Sequence, residues 1–229
     1  MKIGILGAGR LGQTLARLFV RAGHQVRLAN SRDPESLATL VAELGPNASA
    51  GTPADVAPFG ELVVLATRWE QLPEAVQGLG RLADRIVVDA TNNRVGPNPE
   101  DLIDIGDRSS SEIVAEFLRG ARVVKAFNHQ PIPALAQLAD LSPTEPRALF
   151  VAGDDPAAKE VVAGLIRDIG AEPVDTGSLH RGGRWQNTGG SLAGHGRLLT
   201  IREARRLLAD LRRSAPGAAD ERLPGHLTA

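Results

Sequence analysis

Short apolar runs alternate with amphipathic segments along most of the chain. The apolar runs have the length of strands, and several are apolar throughout, which is typical of strands that helices cover on both faces. They span 2–6, 25–29, 62–66, 86–89, 122–127, 148–152 and 172–175. The segments between them have helical periodicity, at 10–22, 34–44, 70–78, 110–119, 133–139, 156–169 and 197–213. This alternation predicts an α/β fold with a doubly wound, mainly parallel sheet of about seven to eight strands, followed by a small helical C-terminal segment.

Several of the predicted helices begin at a recognisable cap. Asp33 precedes Pro34 and Asp155 precedes Pro156, which places a side-chain acceptor before a proline at the first helical position. Ser109 opens the pattern S-x-x-E of a capping box. These three signals predict helices that start close to residues 34, 110 and 156.

The chain divides into three predicted parts. Residues 1–176 form a nucleotide-binding domain, residues 177–213 form a C-terminal cap or substrate segment, and the small polar residues 214–229 are typical of a flexible tail. A long irregular loop is predicted over 92–108, and the glycine-rich stretch 177–196 is predicted to be irregular as well. From residue 177 onward there are nine arginines against four acidic residues. This excess fits either a solvated arginine-rich helix or a cap that attracts a phosphorylated or carboxylated ligand.

The composition excludes several kinds of chemistry. The chain has no cysteine, so it contains no disulfide, thiolate nucleophile or cysteine-ligated metal, and it has no tyrosine to act in a Tyr–Lys proton-donor pair. The five histidines are scattered without the spacing of a metal site. The net charge of −1 favours neither nucleic acid nor an anionic membrane as a partner. The apolar runs are too short to span a bilayer and the N-terminus has no signal-peptide layout, so we expect a cytoplasmic protein.

A glycine-rich loop joins the first predicted strand to the first predicted helix. Gly7, Gly9 and Gly12 form the pattern G-x-G-x-x-G, with Arg10 and Leu11 between the last two glycines. In such a unit the first glycine permits a tight turn, the second lets a pyrophosphate approach the backbone, and the third lets helix and strand pack closely. The positive end of the helix then faces the phosphates. The loop predicts a Rossmann-type dinucleotide site that uses all five residues.

The residues after the second predicted strand indicate whether the site binds NAD or NADP. A site for NAD carries Asp or Glu here, which accepts hydrogen bonds from the ribose hydroxyls. This chain has Asn30, Ser31 and Arg32 instead. A hydroxyl and a guanidinium bind a 2′-phosphate, whereas a carboxylate repels one. We therefore predict that the cofactor is NADP(H).

Polar and aromatic residues follow three further strands, and ligands of open α/β sheets bind beyond the carboxyl ends of the strands. We expect five of these residues to line the crevice for the nicotinamide and a small-molecule hydride acceptor or donor. They are Thr67, Arg68, Trp69, Asn92 and Asn128. Each has a plainer interpretation, since a tryptophan can cover the core and asparagines are common in turns.

His129 is the candidate for an acid–base role in catalysis. A carbonyl or imine acceptor needs a proton donor, and without tyrosine the donors that remain are His129, His195 or water. A single histidine before a proline is also a common structural hydrogen-bonding residue. The catalytic role of His129 is therefore a hypothesis with a structural alternative.

Seven segments, taken in order, resemble a known family. They read GILGAGRLGQTLA at 4–16, NSR at 30–32, VLATRWE at 64–70, SSSEIVAEFL at 109–118, VVKAFNHQPIPAL at 123–135, FVAGDDPAAKEVV at 150–162 and IGAEPVDTGSL at 169–179. Over residues 1–177 the chain is similar to the NADPH-dependent reductases of the deazaflavin coenzyme F420, the F420:NADP oxidoreductases. The resemblance implies hydride transfer between the nicotinamide C4 and the deazaflavin C5, with the protein stacking the two rings in a closed crevice.

The resemblance also carries roles over to positions of this chain. It implies that the loop from Gly7 to Gly12 binds the pyrophosphate, that Ser31 and Arg32 bind the 2′-phosphate, and that segments 67–69 and 128–132 flank the nicotinamide. It further implies a homodimer. Two alternatives stay open: an NADPH-dependent reductase of a small organic substrate such as an imine, ketone or other biosynthetic intermediate, and an NADPH-binding sensor without turnover.

Overall fold

The structure is a computed structural model that describes residues 1–96, 98, 101–140 and 146–214 of the 229-residue chain. The strands of this described part are β1 (Lys2–Leu6), β2 (Gln25–Ala29), β3 (Ala48–Ala50), β4 (Leu62–Leu65), β5 (Ile86–Asp89), β6 (Arg122–Ala126), β7 (Arg147–Gly153) and β8 (Ala171–Gly177). Its helices are α1 (Arg10–Arg21), α2 (Ala38–Leu44), α3 (Pro53–Phe59), α4 (Leu72–Gln77), α5 (Ser110–Phe117), α6 (Ile132–Ala136), α7 (Pro156–Asp168), α8 (Arg181–Gln186) and α9 (Ile201–Ser214). Short 3-10 turns precede α2 and α4 and follow α6.

One sheet contains all eight described strands, in the order β3-β2-β1-β4-β5-β6-β7-β8. Every neighbouring pair is parallel except β6 with β7, which are antiparallel. The carboxyl ends of β1, β2, β4, β5 and β6 therefore lie along one edge of the sheet, where the predicted site residues follow them. The predicted doubly wound α/β fold with a mainly parallel sheet is confirmed.

Helices cover both faces of the sheet, which explains why β4 is apolar at every position. All four of its residues are buried. Leu62 and Val64 lie in the core beneath α1, α6 and α7, whereas Val63 and Leu65 lie in the core beneath α3, α4 and α5. Since successive side chains of a strand point to opposite faces, a doubly covered strand needs an unbroken apolar run.

The segment after β8 packs on the end of the sheet that β7 and β8 form. Ala204 and Leu208 of α9 are buried in a third core that includes Phe150 of β7 and Val174 of β8. The opposite side of α9 exposes arginines to solvent, which favours the solvated interpretation of this cationic segment.

The predicted tail begins where α9 ends. Ser214 is the last residue of α9, so the tail prediction fails at that residue, and residues 215–229 lie outside the described part. The predicted division between 1–176 and 177–213 stays a prediction. Within the described residues, no helix has both the length and the apolar character needed to cross a membrane.

Four elements differ from the sequence prediction. The hydrophobic pattern indicates neither β3, which is a three-residue Ala-Ser-Ala strand, nor α3, which contains the normally helix-breaking Pro58. Asp55 stabilises the start of α3 by accepting a hydrogen bond of 2.8 Å from the backbone N–H of Thr52. The prediction that 177–196 is irregular is wrong at α8, and the last helix begins at Ile201 rather than at residue 197.

Two of the three predicted caps form as expected. The Asp155 carboxylate accepts a hydrogen bond from the backbone N–H of Ala158, and Ser109 and Glu112 form a complete capping box at the start of α5. Asp33 does occupy the N-cap position with Pro34 as the first helical residue, but its side chain makes no capping hydrogen bond. The chain after Asp33 enters a tight 3-10 turn that the backbone oxygen of Asp33 closes instead.

Candidate active site

The three glycines of the loop between β1 and α1 have three different geometries. Gly7 has a φ of 108°, a left-handed conformation, and a Cβ atom on it would lie 2.5 Å from the carbonyl oxygen of Ala66. A Cβ atom on Gly12 would overlap the carbonyl oxygen of Gly7. No described atom lies within 4 Å of the Cβ position of Gly9, so the backbone there is open to a ligand. These environments match the turn, packing and approach roles expected of the glycines.

The first turn of α1 leaves its backbone N–H groups available to an anion. Gly9 is the N-cap and supplies no side-chain acceptor, and the first turn contains no acidic residue. The positive end of the helix therefore stays uncompensated by the protein, which suits a pyrophosphate. Arg10 is exposed beside this end, and Leu11 packs partly against the core, so its contact with a cofactor stays a prediction.

The three predicted cofactor residues in the loop after β2 differ in their contacts. The Asn30 side chain is engaged in the loop itself: its Oδ1 accepts from the backbone N–H of Arg32 at 2.8 Å and its Nδ2 donates to Ser36 Oγ at 3.1 Å. In the described part of the chain, the side chains of Ser31 and Arg32 have no hydrogen-bond or ion-pair partner, and both are exposed. Asn30 thus shapes a loop that presents the Ser31 hydroxyl and the Arg32 guanidinium to a ligand.

The residues after β4 lie next to the glycine loop. A Cβ atom on Gly7 would lie 2.9 Å from the backbone nitrogen of Thr67, which brings these two strand ends together. The Thr67 hydroxyl is buried and has no partner among the described residues, whereas Arg68 is exposed. Trp69 packs partly buried against the core beneath α4 and α5, which favours its structural interpretation.

Asn92 and Asn128 connect the ends of β5 and β6. Asn128 Nδ2 donates to Asn92 Oδ1 at 3.0 Å, and Asn92 Nδ2 donates to the backbone oxygen of Asn128 at 3.2 Å. Asn128 Nδ2 also donates to the backbone oxygen of Gln186 at 2.7 Å. The structure therefore brings these two predicted residues together, with Asn128 Oδ1 left buried and unpartnered among the described residues.

His129 is enclosed and electrically neutral. It is 2% exposed, and its Nε2 accepts a hydrogen bond of 3.2 Å from the backbone N–H of Phe150. Burial, the charge of Lys125 and the charge of His195 lower its pKa from 6.5 to about 3. The proton therefore lies on Nδ1, which has no partner in the described part. These surroundings favour the structural alternative, and a catalytic role for His129 stays a prediction.

A buried polar cluster lies beneath the crevice, between the ends of β5 and β6 and the start of α5. The Lys125 ammonium contacts Ser110 Oγ at 2.7 Å and Asp89 Oδ2 at 3.4 Å. Asp89 also accepts from Ser111 Oγ at 2.5 Å, and from the backbone N–H and the hydroxyl of Thr91 at 2.9 and 2.7 Å. Burial lowers the pKa of Lys125, and the neighbouring Asp89 carboxylate opposes that shift.

Sequence patterns do not assign this cluster a role, although they contain a signal for it. Lys125 and Asp89 are charged residues in strands whose other residues are mainly apolar, and both are fully buried. Charged residues are almost never fully buried unless they are paired. Their pairing depends on β5 and β6 being neighbours with Asp89 opposite Lys125, which local sequence does not specify. In the described part, no group of three or more His, Asp or Glu residues is arranged to hold a metal ion.

The sheet, the open phosphate loop and the free Ser31–Arg32 pair define the class of protein: a Rossmann-type dinucleotide-binding protein suited to NADP(H). Residues 2–93 match the model of the family described as NADP oxidoreductase, coenzyme F420-dependent. The chain belongs to this family of NADP-dependent oxidoreductases. A candidate F420-dependent NADP-reductase from Arthrobacter sp. FB24 has 30% identity and a TM-score of 0.66, over 78% of this chain and 86% of that one.

Two further proteins are similar over most of the chain. The structure of the hypothetical protein SMa0349 from Sinorhizobium meliloti has 35% identity and a TM-score of 0.79, over 86% of this chain and 95% of that one. Metalloreductase STEAP3 of Rattus norvegicus is 31% identical over 178 residues, which cover 78% of this chain and 34% of that protein. The match thus spans about a third of the length of this curated relative.

Proposed function

We propose that this protein transfers hydride between NADP(H) and a deazaflavin coenzyme, with coenzyme F420 as the reaction partner. The family name and the description of the Arthrobacter relative support the partner. Both substrates are small molecules, and the protein acts mainly by placing them.

The chain's own residues fit the dinucleotide half of this reaction. Gly9 leaves open space at the N-terminus of α1, where the free N–H groups can bind a pyrophosphate. Ser31 and Arg32 are free and exposed at the end of β2, where a 2′-phosphate would lie. The buried and unpartnered Thr67 hydroxyl and Asn128 Oδ1 are available to polar groups of the bound rings.

The state of His129 is the observation that favours a deazaflavin over a carbonyl or imine acceptor. A carbonyl or imine takes up hydride efficiently when a protein acid protonates it in the same step. His129 cannot supply that proton near neutral pH, since its pKa is about 3 and its Nε2 already accepts from Phe150. Lys125 is fully buried inside its own cluster. These two residues thus favour an acceptor that needs no protein acid, and an imine or ketone reductase would have to use His195, which is exposed after α8, or water.

The reaction balances without a protein proton donor. Hydride leaves C4 of the dihydronicotinamide and reaches C5 of the oxidised deazaflavin, which gives NADP+ and, after a ring nitrogen takes a proton from water, the reduced deazaflavin. The protein's part in this step is to orient C4 and C5 toward each other. The Asn92–Asn128 pair fixes the ends of the two strands that border this space.

The test mixes the pure protein with NADPH and oxidised coenzyme F420 and follows the loss of each chromophore. We expect coupled loss in a ratio of one to one, with much slower reaction when NADH replaces NADPH. The Arg32→Ala variant provides a matched control, because it should lose activity at low NADPH concentration and recover it at high concentration.

Other outcomes identify the alternatives. Turnover with a panel of imines or ketones but not with coenzyme F420 would contradict the proposal and identify a reductase of small organic substrates. Tight NADPH binding without turnover of deazaflavin, flavin, imine or ketone would identify a sensor. The family resemblance also leads us to propose a homodimer, which light scattering coupled to size-exclusion chromatography tests directly.

A further inference from the structure

The ammonium group of Lys125 lies nearer to a hydroxyl than to its carboxylate partner. Nζ is 2.7 Å from Ser110 Oγ but 3.4 Å from Asp89 Oδ2 and 3.4 Å from the backbone oxygen of Thr91. Removing two charges from water is unfavourable unless the site compensates, and here both side chains are fully buried. A pair retained only for mutual attraction would place the ammonium against the carboxylate. This geometry directs it to Ser110 instead.

Ser110 transmits the position of Lys125 to the C-terminal segment. An ammonium only donates, so Ser110 Oγ accepts from Lys125 and must give its own proton elsewhere. That proton goes to Asn187 Oδ1 at 3.0 Å, and the backbone N–H of Ser110 donates to the same oxygen at 3.2 Å. Lys125, Ser110 and Asn187 thus form one directed chain of hydrogen bonds from β6 through α5 to the residue after α8.

Asn187 begins a segment, 187–196, that borders the crevice. The preceding residue, Gln186, is held by Asn128, and the N–H of Gly194 donates to the backbone oxygen of His129. A Cβ atom on Gly189 would lie 3.8 Å from Leu102 Cδ1, in the long loop after β5. The segment therefore lies between the loop after β5 and the loop after β6, and the proposed function puts the bound rings beside these two loops.

The segment has little local structure of its own to hold it there. It contains four glycines, at 189, 190, 194 and 196, and three of them have positive φ. Such a backbone is permissive and loses much conformational entropy when it is ordered. Its placement therefore depends on contacts with the rest of the protein: Leu192 is buried in the core that includes Phe150, and Asn187 is bonded to Ser110 at the start of the segment.

We propose that Lys125 is a positioning residue for the second substrate: through Ser110 it fixes Asn187, and with it the 187–196 wall of the crevice. Lys125 touches neither ring, and it acts only through the hydroxyl that it orients. Only the kinetic part of the test rests on the proposed function, because the placement of the wall can be measured without turnover.

Ser111 supplies a matched control within the same cluster. It is the next residue of α5, it is fully buried like Ser110, and its hydroxyl donates to Asp89 Oδ2. It has no hydrogen bond to Asn187 or to Lys125 among the described residues. Ser110→Ala and Ser111→Ala therefore each remove one buried hydroxyl from one cluster, but only the first interrupts the chain to Asn187.

Hydrogen exchange measured with the NADPH-bound protein tests the placement of the wall. Beyond Asn187 itself, four backbone N–H groups of the segment are bonded in the structure, those of Gly190, Leu192, Ala193 and Gly194, and they report its opening. We expect Lys125→Met and Ser110→Ala to accelerate their exchange about tenfold, the effect of losing roughly one charge-assisted hydrogen bond. Ser111→Ala should leave their exchange within about twofold of the wild-type rate. The double variant of Lys125 and Ser110 should exchange no faster than the faster single variant.

The kinetic part of the test measures whether loss of the Lys125–Ser110 contact affects F420, NADPH or both. With coenzyme F420 as acceptor, Lys125→Met and Ser110→Ala should raise the KM for F420 about tenfold while the Kd for NADPH changes less than about twofold. A role confined to overall stability would instead lower the thermal midpoint without separating the two substrates.

The decisive results are opposite for the two serines. Equal acceleration of exchange in Ser110→Ala and Ser111→Ala, or unchanged exchange in Lys125→Met, would overturn the proposal. If Lys125→Met does not fold, the comparison of the two serine variants decides. If the wild-type protein does not turn over coenzyme F420, the proposed function fails, and the exchange rates still decide the role of Lys125.

Discussion

The carbonyl oxygen of Gly7 occupies the space that a Cβ atom on Gly12 would need. Close packing of α1 on the loop after β1 therefore depends on Gly12 having no side chain. Gly9, three residues earlier, has open space around its Cβ position among the described residues and a φ of −75°, which any residue can adopt. The same substitution should therefore act on folding at one position and on binding at the other.

We expect Gly12→Ala to lower the free energy of unfolding by about 1–3 kcal/mol, because the methyl group forces helix and loop apart. Gly9→Ala should leave the unfolding of the free protein within about 0.5 kcal/mol of wild type. It should raise the Kd for NADPH about tenfold or more, since its methyl group occupies the space through which a pyrophosphate approaches. Denaturant unfolding and NADPH titration measure the two effects. Normal NADPH affinity in Gly9→Ala would contradict the prediction that the pyrophosphate binds at this loop.

His129 should make the protein less stable in acid. Its pKa is about 3 in the folded protein and near 6.5 in the unfolded chain, so the unfolded state binds the additional proton between these values. The stability contributed by the neutral imidazole is therefore complete above pH 6.5 and is lost as the pH falls toward 3, with a slope of at most about 1.4 kcal/mol per pH unit. His129→Gln keeps an acceptor for the N–H of Phe150 and should show a flatter dependence. His24, whose pKa is also lowered, is present in both proteins, so the difference between the two curves isolates His129.

The same variant separates the two interpretations of His129. As a structural residue, its replacement by Gln should change kcat for F420 reduction only a few-fold. Loss of a general acid would lower kcat about 10²- to 10⁴-fold and flatten the pH–rate profile. A decrease of that size with normal folding would restore the catalytic hypothesis.

The nucleotide half of the site could be predicted from the sequence because its chemistry is local. Gly7, Gly9 and Gly12 lie within six consecutive residues, and their roles depend only on the strand before them and the helix after them. The absence of an acid at the end of β2 is equally local. Strands such as β4 were predictable for a similar reason, since burial on both faces leaves an unbroken apolar run.

The other half of the site depends on contacts between distant parts of the chain. Asn92 and Asn128 are 36 residues apart, and Ser110 and Asn187 are 77 residues apart. Nothing near any of these residues specifies its partner, because pairing follows from the order of strands in the sheet. The sequence did not predict strand β3 because its three small residues are too few to form a recognisable hydrophobic pattern.

Two glycines that look alike in the sequence should respond in opposite ways to alanine. A Cβ atom on Gly183 would lie 3.0 Å from both Cβ and Oγ of Ser109, where α8 meets the start of α5. We expect Gly183→Ala to lower the free energy of unfolding by about 1–3 kcal/mol. Gly164 lies inside α7 with no described atom within 4 Å of its Cβ position, so Gly164→Ala should stabilise the protein by about 0.5–1 kcal/mol. Denaturant unfolding of both variants checks the pair, and destabilisation by Gly164→Ala would contradict it.

The preference for NADPH should depend on the free pair at the end of β2. Arg32 can form charge-assisted hydrogen bonds to a 2′-phosphate, so Arg32→Ala should raise the Kd for NADPH roughly 10- to 100-fold. The Kd for NADH should change less than about threefold, because NADH has no phosphate at this position. Adding Ser31→Asp should weaken NADPH binding further, since a carboxylate repels the phosphate. Added salt should also weaken NADPH binding more in the wild type than in Arg32→Ala.

A matched control for this pair lies at the other end of α1. Arg21 is exposed and only 3.9 Å from an exposed Asp140 carboxylate, so Arg21→Ala removes one surface charge far from the loop after β2. It should leave the Kd of both cofactors unchanged within error. Calorimetric titration of the variants with NADPH and NADH measures all of these constants. If Arg32→Ala weakened both cofactors equally, Arg32 would act through the loop that Asn30 shapes, and the 2′-phosphate would have to bind elsewhere.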